Sequence, residues 1–149
     1  MSSETNKMMA RRFFEEVFNG GKLDAVSDIF APNHVIEGPG ALPGLPRGPE
    51  GMHKFVSFYR HAFPDTHFTI DEQVAEGDTV VTRWTAQGTQ TGEMSGMGIP
   101  VTGRPVTVTG MTVDRIKNGK IVETWAVFDQ FSMLQQLGVI PPASKSQST

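Results

Sequence analysis

The sequence contains no cysteine, which removes disulfides, thiolate metal sites and a cysteine nucleophile together. That fits a reducing compartment, so the expected location is the cytoplasm. Positive charge is also short: 13 Lys and Arg against 16 Asp and Glu leave a net charge of −3. The basic residues are scattered rather than gathered into the stripe that phosphate neutralisation needs. No nucleic-acid partner is expected. Nor does any apolar run approach the roughly 20 residues that span a bilayer. Met1 to Lys7 is polar and has no apolar core of signal-peptide length, so no membrane partner is expected either.

Several chemical signatures are missing as well. His34, His53, His61 and His67 fall at no metal-binding spacing, so no metal site is expected. No Gly-x-Gly-x-x-Gly opens a helix after a strand, and no Gly-x-Ser-x-Gly elbow is present. The expectation is an activity without a cofactor.

What is present reads as one domain over residues 1–149, with a core from about 6 to 140 and flexible ends at 1–5 and 141–149. Met9, Phe13, Phe14, Val17 and Phe18 recur at helical spacing until Gly20-Gly21 breaks the pattern. Leu23, Val26, Ile29 and Phe30 continue it in a second helix that should end before Pro32. Gly38 to Gly51 is mostly glycine and proline and supports neither helix nor central strand. A third helix then runs from Glu50 to Pro64, facing Met52, Phe55, Val56, Tyr59, Ala62 and Phe63 inward.

Beyond Pro64 the period changes to two. His67–Asp71, Thr79–Gln87, Val106–Ile116 and Lys120–Asp129 read as strands, with turns at Gly77-Asp78 and Asn118-Gly119. Gly88 and Gly110 sit inside strand patterns, where glycine often marks a bulge or bend. Three helices followed by an antiparallel meander predict an α+β domain, a cone-shaped barrel with the helices packed on a curved sheet. Such a cone has a mouth and room for a small apolar molecule. The exposed back of its sheet predicts a homodimer.

The strand segments carry a resemblance. Phe63-Pro-Asp65, Val74 to Trp84, Gly88-Thr-Gln-Thr-Gly92, Ile99 to Arg104, Asn118 to Trp125, Asp129 and Gln136-Leu-Gly138 follow one another at family spacing. Together they resemble the SnoaL-like polyketide cyclases (ester cyclases), a branch of the superfamily of nuclear transport factor 2 and ketosteroid isomerase. The resemblance covers about residues 8 to 140. It implies cofactor-independent aldol-type ring closure on a polycarbonyl, polyketide-like substrate. Two positions depart from the pattern: Glu37 and Gln90 stand where relatives often carry histidine.

Period two places Glu123, Trp125, Val127 and Asp129 on one strand face. If that face lines the cavity, burial disfavours the carboxylate and makes Asp129 a stronger base for a proton flanked by two carbonyls. The family's proposed acid/base aspartate falls at the same position. The competing role for Asp129 is N-capping of the Phe131–Leu137 segment. Substrate-binding candidates are Glu37, Arg83, Gln90, Arg115 and Trp125: an arginine pointing inward would polarise a carbonyl, and Trp125 would form a flat wall. Surface or core roles compete for each. Two other functions stay open: a different acid/base enzyme on the same fold (isomerase, dehydratase, epoxide hydrolase or cofactor-free hydroxylase), and a non-catalytic binding module for a small molecule or a protein.

Overall fold

A computed structural model describes residues 2–94 and 96–141. The chain begins with α1 (Ser3–Arg12), whose first turn is capped by Ser2, its Oγ accepting from the Thr5 amide at 3.1 Å. This cap sets the helix start ahead of the expected core boundary at residue 6. The helix widens into a π-helical stretch, Phe13–Asn19, which turns Phe13, Phe14, Val17 and Phe18 into the core. Ion pairs Arg11–Glu15 and Arg12–Glu16, both 2.9 Å, lie on its wetter side.

The second helical segment follows its sequence pattern as far as Ile29: a 3-10 turn, Leu23–Ala25, runs into α2, Val26–Ile29, and the chain then passes directly into β1, Phe30–Glu37. The periodicity misled because Ile29 and Phe30 are both buried, one closing a helical turn and the other opening a strand. Pro32 does not end a helix. It lies in an edge strand, where a missing amide donor is tolerated. The glycine-rich loop then leads to α3, Pro49–Ala62. Gly48 is required at its entrance: φ is +80°, and a Cβ there would lie 2.4 Å from the carbonyl oxygen of Pro32.

Four strands follow: β2 (His67–Glu76), β3 (Thr79–Thr89), β4 (Pro105–Lys117) and β5 (Lys120–Phe128). Asn118 and Gly119 both have positive φ, +51° and +78°, as a tight two-residue hairpin demands. The sheet order is β1-β5-β4-β3-β2, antiparallel except for the parallel β1–β5 pair. It is a curled but open sheet rather than a closed barrel, with the helices packed into its concave side. A fourth helix, α4 (Gln130–Leu137), joins the three expected. Its Gln136 amide brackets Thr107, accepting from the backbone N–H at 2.8 Å and donating to the carbonyl at 2.9 Å. No helix among the described residues is long and apolar enough to cross a membrane. The tail from Ala143 to Thr149, expected to be frayed, lies outside the described residues.

Candidate active site

The concave face and the helices surround a pocket that is partly open to solvent and has a cavity volume of about 80 Å³. Its walls are overwhelmingly apolar: Phe14, Phe18, Phe55, Phe68, Trp84 and Phe128 contribute rings from the first helical segment, α3 and three strands. Phe18 and Phe68 sit 4.5 Å apart by ring centroid, and Phe68 and Trp84 4.9 Å apart. Such tilted contacts make a rigid aromatic lining. Trp84 is fixed twice. Its Nε1 donates to Thr112 Oγ1 at 3.0 Å, and its ring lies over Gly110, where a Cβ would stand 2.4 Å from Cζ2. Strand pairing runs without a break through Gly88 and Gly110. Neither glycine marks a bulge; Gly110 makes room for an indole.

The polar groups of the pocket are few. Tyr59 lines it, with a hydroxyl that is buried and has no partner among the described residues. Burial pushes that phenol up to about 12. Thr112 and Thr124 also line the wall, and Thr124 is the visible end of a buried chain. Its Oγ1 donates to Asp114 Oδ1 at 2.7 Å and lies 2.8 Å from His34 Nε2. Asp114 is 3% exposed and His34 1%. Loss of water raises the Asp114 carboxyl to about 7, against a smaller opposing pull from the Thr124 bond. The same loss lowers His34 to about 4. Both groups are therefore driven toward their neutral forms, as burial without a counter-ion dictates.

The residues singled out in the sequence lie elsewhere. Asp129 is exposed and serves as N-cap of α4, its Oδ1 accepting from the Ser132 amide at 2.9 Å; this corrects its placement as a buried base. Trp125 is 44% exposed on the outer face of the sheet and is not a pocket wall. Its register partner Glu37 is exposed beside it. Arg83 and Arg115 are on the outer face too. Arg83 pairs with Glu72 at 3.3 Å, and Arg115 with Glu123 at 2.9 Å. Gln90 is fully buried, but among loop backbone groups rather than in the pocket. Thus the six candidates do not converge.

A bulge sets which face of β5 turns outward. Arg115 pairs with Glu123 but Ile116 with Ile121, so β5 carries one extra residue at Val122. Ile121 is buried, yet past the bulge Thr124 and Ala126 turn inward while Trp125 turns out. One inserted residue exchanges the two faces of everything after it. Asp114 itself was legible in principle, since Val106, Val108, Thr112, Asp114 and Ile116 share one parity and all are buried. The alternate parity offers Met111 and Val113 but also Arg115 and Lys117. Among the described residues no group of three or more His, Asp or Glu side chains could hold a metal ion.

Comparison with known proteins agrees with this architecture. The family described as SnoaL-like polyketide cyclase matches residues 8–137. Aklanonic acid methyl ester cyclase DnrD of Streptomyces peucetius is 31% identical over 126 residues, covering 83% of this chain and 84% of that protein. Among solved structures, IdmH of Streptomyces antibioticus, provisionally a polyketide cyclase, is 37% identical with a TM-score of 0.74, covering 89% of this chain and 98% of its own. TsrD of Streptomyces laurentii superposes with a TM-score of 0.83 at 26% identity, covering 94% and 99%. The aromatic pocket, the curled sheet and these relatives together establish that the chain belongs to the SnoaL-like polyketide cyclase family.

Proposed function

We propose that the protein closes a ring in a small, apolar polycarbonyl substrate by aldol-type carbon–carbon bond formation, with Asp114 as the group that finally holds the abstracted proton. The observation that supports this reading is a carboxyl kept out of water at the edge of an aromatic pocket and raised to about 7. Such a group is part-ionised near neutral pH and a far better base than an ordinary aspartate. A proton between two carbonyls is acidic enough that no cofactor is needed as an electron sink. As the C–H bond breaks, its electron pair enters the enolate. The enolate carbon attacks a second carbonyl of the same molecule, the new bond forms, and the resulting alkoxide takes the proton back. The apolar walls keep water from the intermediate. Similarity to a methyl ester cyclase favours a polyketide-derived ester as substrate.

The deciding experiment compares Asp114→Asn and Asp129→Asn on a synthetic aromatic β-diketo ester. The first should lose about 100-fold or more in kcat/KM while keeping ligand affinity and melting temperature. The second keeps its cap, because asparagine caps as well as aspartate, and should stay within about twofold of wild type. Full activity of Asp114→Asn would falsify the assignment. The near absence of polar groups in the wall favours one rival reading, a non-catalytic carrier. That reading requires tight ligand binding, no turnover, and indifference to Asp114→Asn.

The outer sheet face supports a homodimer as the working form. Met111 and Trp125, 45% and 44% exposed, stand there with Arg83 and Arg115. Sedimentation of a monomer at micromolar concentration rules the dimer out.

A further inference from the structure

Asp114 and His34 are both sealed on the inner face, and neither lines the pocket; Thr124, bonded to both, does. We infer that the Thr124 hydroxyl is the catalytic group that touches the substrate and relays its proton to Asp114, with His34 setting the direction of the relay. The inference rests on the ring-closing reading above and names the atom through which that chemistry passes.

Hydrogen-bond bookkeeping fixes two states of the chain. With Asp114 ionised, its oxygen only accepts, so Thr124 donates to it. The Thr124 oxygen must then accept from His34, which places the imidazole proton on Nε2. In the reactive step the substrate C–H bond breaks, its electron pair staying on carbon as the enolate. The proton goes to Thr124 Oγ1 as the original hydroxyl proton passes to Asp114 Oδ1. The protonated carboxyl now donates to Thr124, His34 Nε2–H still donates to the same oxygen, and the Thr124 hydroxyl holds the former substrate proton toward the enolate. After carbon–carbon bond formation the alkoxide receives a proton from Thr124, and the chain reverses. No net proton is consumed.

Nothing else charged competes for this chain among the described residues. The buried face of α1 offers Asn6 and Ala10, and β3 sets Val80 and Thr82 alongside. On β1 the inward neighbour is Ile36, which lines the pocket. Arg115, Glu123 and Asp78 are engaged with one another on the opposite face of the sheet.

Thr124→Val removes the hydroxyl and keeps the shape; Thr124→Ser keeps the hydroxyl. With the β-diketo ester probe, Thr124→Val should lose about 100-fold or more in kcat with KM within threefold, and Thr124→Ser should restore most of it. A merely structural Thr124 would shift melting temperature in both variants and leave kcat of the folded protein alone, which overturns the relay. If Asp114→Asn is inactive while Thr124→Val is active, the relay fails and the ring-closing reading stands. If both are active, both fail. A second readout needs no substrate. Nitrogen-15 NMR of His34 should show a neutral imidazole with its proton on Nε2 once Asp114 is ionised, and a proton on Nδ1 there overturns the relay.

Discussion

His34 and Asp114 hold opposite sides of one oxygen, Thr124 Oγ1, at 2.8 and 2.7 Å, and burial moves their proton affinities in opposite directions.

That opposition predicts how stability depends on pH. Asp114 rises from 3.8 to about 7 on folding, so between those values the folded state holds more protons than the unfolded one. Stability from this group falls as pH rises through that window. His34 drops from 6.5 to about 4, so there the unfolded state holds more protons and stability rises with pH. Each effect is on the order of 3 kcal/mol, and from pH 4 to 6.5 they largely cancel. Wild type should therefore show a shallow profile. Asp114→Asn should unmask a rise from pH 4 to 6.5, and His34→Gln a decline from pH 4 to 7, both read by urea denaturation. Parallel profiles in the three proteins would show that the two groups are not buried as described.

The indole of Trp84 makes the second prediction. A methyl at position 110 would stand 2.4 and 2.6 Å from two of its ring carbons and 2.7 Å from the Val127 carbonyl oxygen. In Gly110→Ala the ring must tip toward the pocket, breaking its bond to Thr112. Overpacking of this kind costs about 1–3 kcal/mol. The variant should melt lower, show altered tryptophan fluorescence, and bind flat aromatic ligands at least tenfold more weakly. Unchanged affinity with lowered stability would mean that the ring moved away from the pocket instead.

These residues also show what sequence can and cannot reveal. The long strands and the Asn118-Gly119 hairpin were readable because local turn chemistry and β-branched content agree there. The Phe30 strand was not, since a buried helix end and a buried strand start follow each other without a break in hydrophobicity. Asp129 looked catalytic because it shares a strand face with Trp125 and Val127, and beyond the bulge at Val122 that face turns outward. A bulge arises from cross-strand pairing, which one strand's own sequence does not encode. Asp114 was passed over for a related reason: an aspartate beside Arg115 and near a hairpin resembles an ordinary solvated strand end. The parity of its own strand, which it shares with Val106, Val108 and Ile116, and Thr124 opposite it on β5 both place it inward.

Gln90 takes the position where the family pattern often has histidine, and its side chain organises the long β3–β4 connection. Nε2 donates to the carbonyls of Gly92 and Pro100, at 3.2 and 3.0 Å. Oε1 accepts from the Thr102 amide and hydroxyl, at 3.1 and 2.6 Å. The Thr91 and Gly92 amides in turn bond to Ala62 at the end of α3. Gln90→Met keeps the length of the side chain and strips all four of its bonds, leaving the part-buried backbone groups of Gly92, Pro100 and Thr102 without that partner, at up to about 1–3 kcal/mol each before relaxation. Melting temperature should fall by roughly 5–10 °C, and limited proteolysis should open the segment between Gly92 and Arg104 first. Because Gln90 does not line the pocket, kcat of the folded protein should hold within about twofold. A large loss of kcat at unchanged stability would instead give Gln90 a direct part in the chemistry.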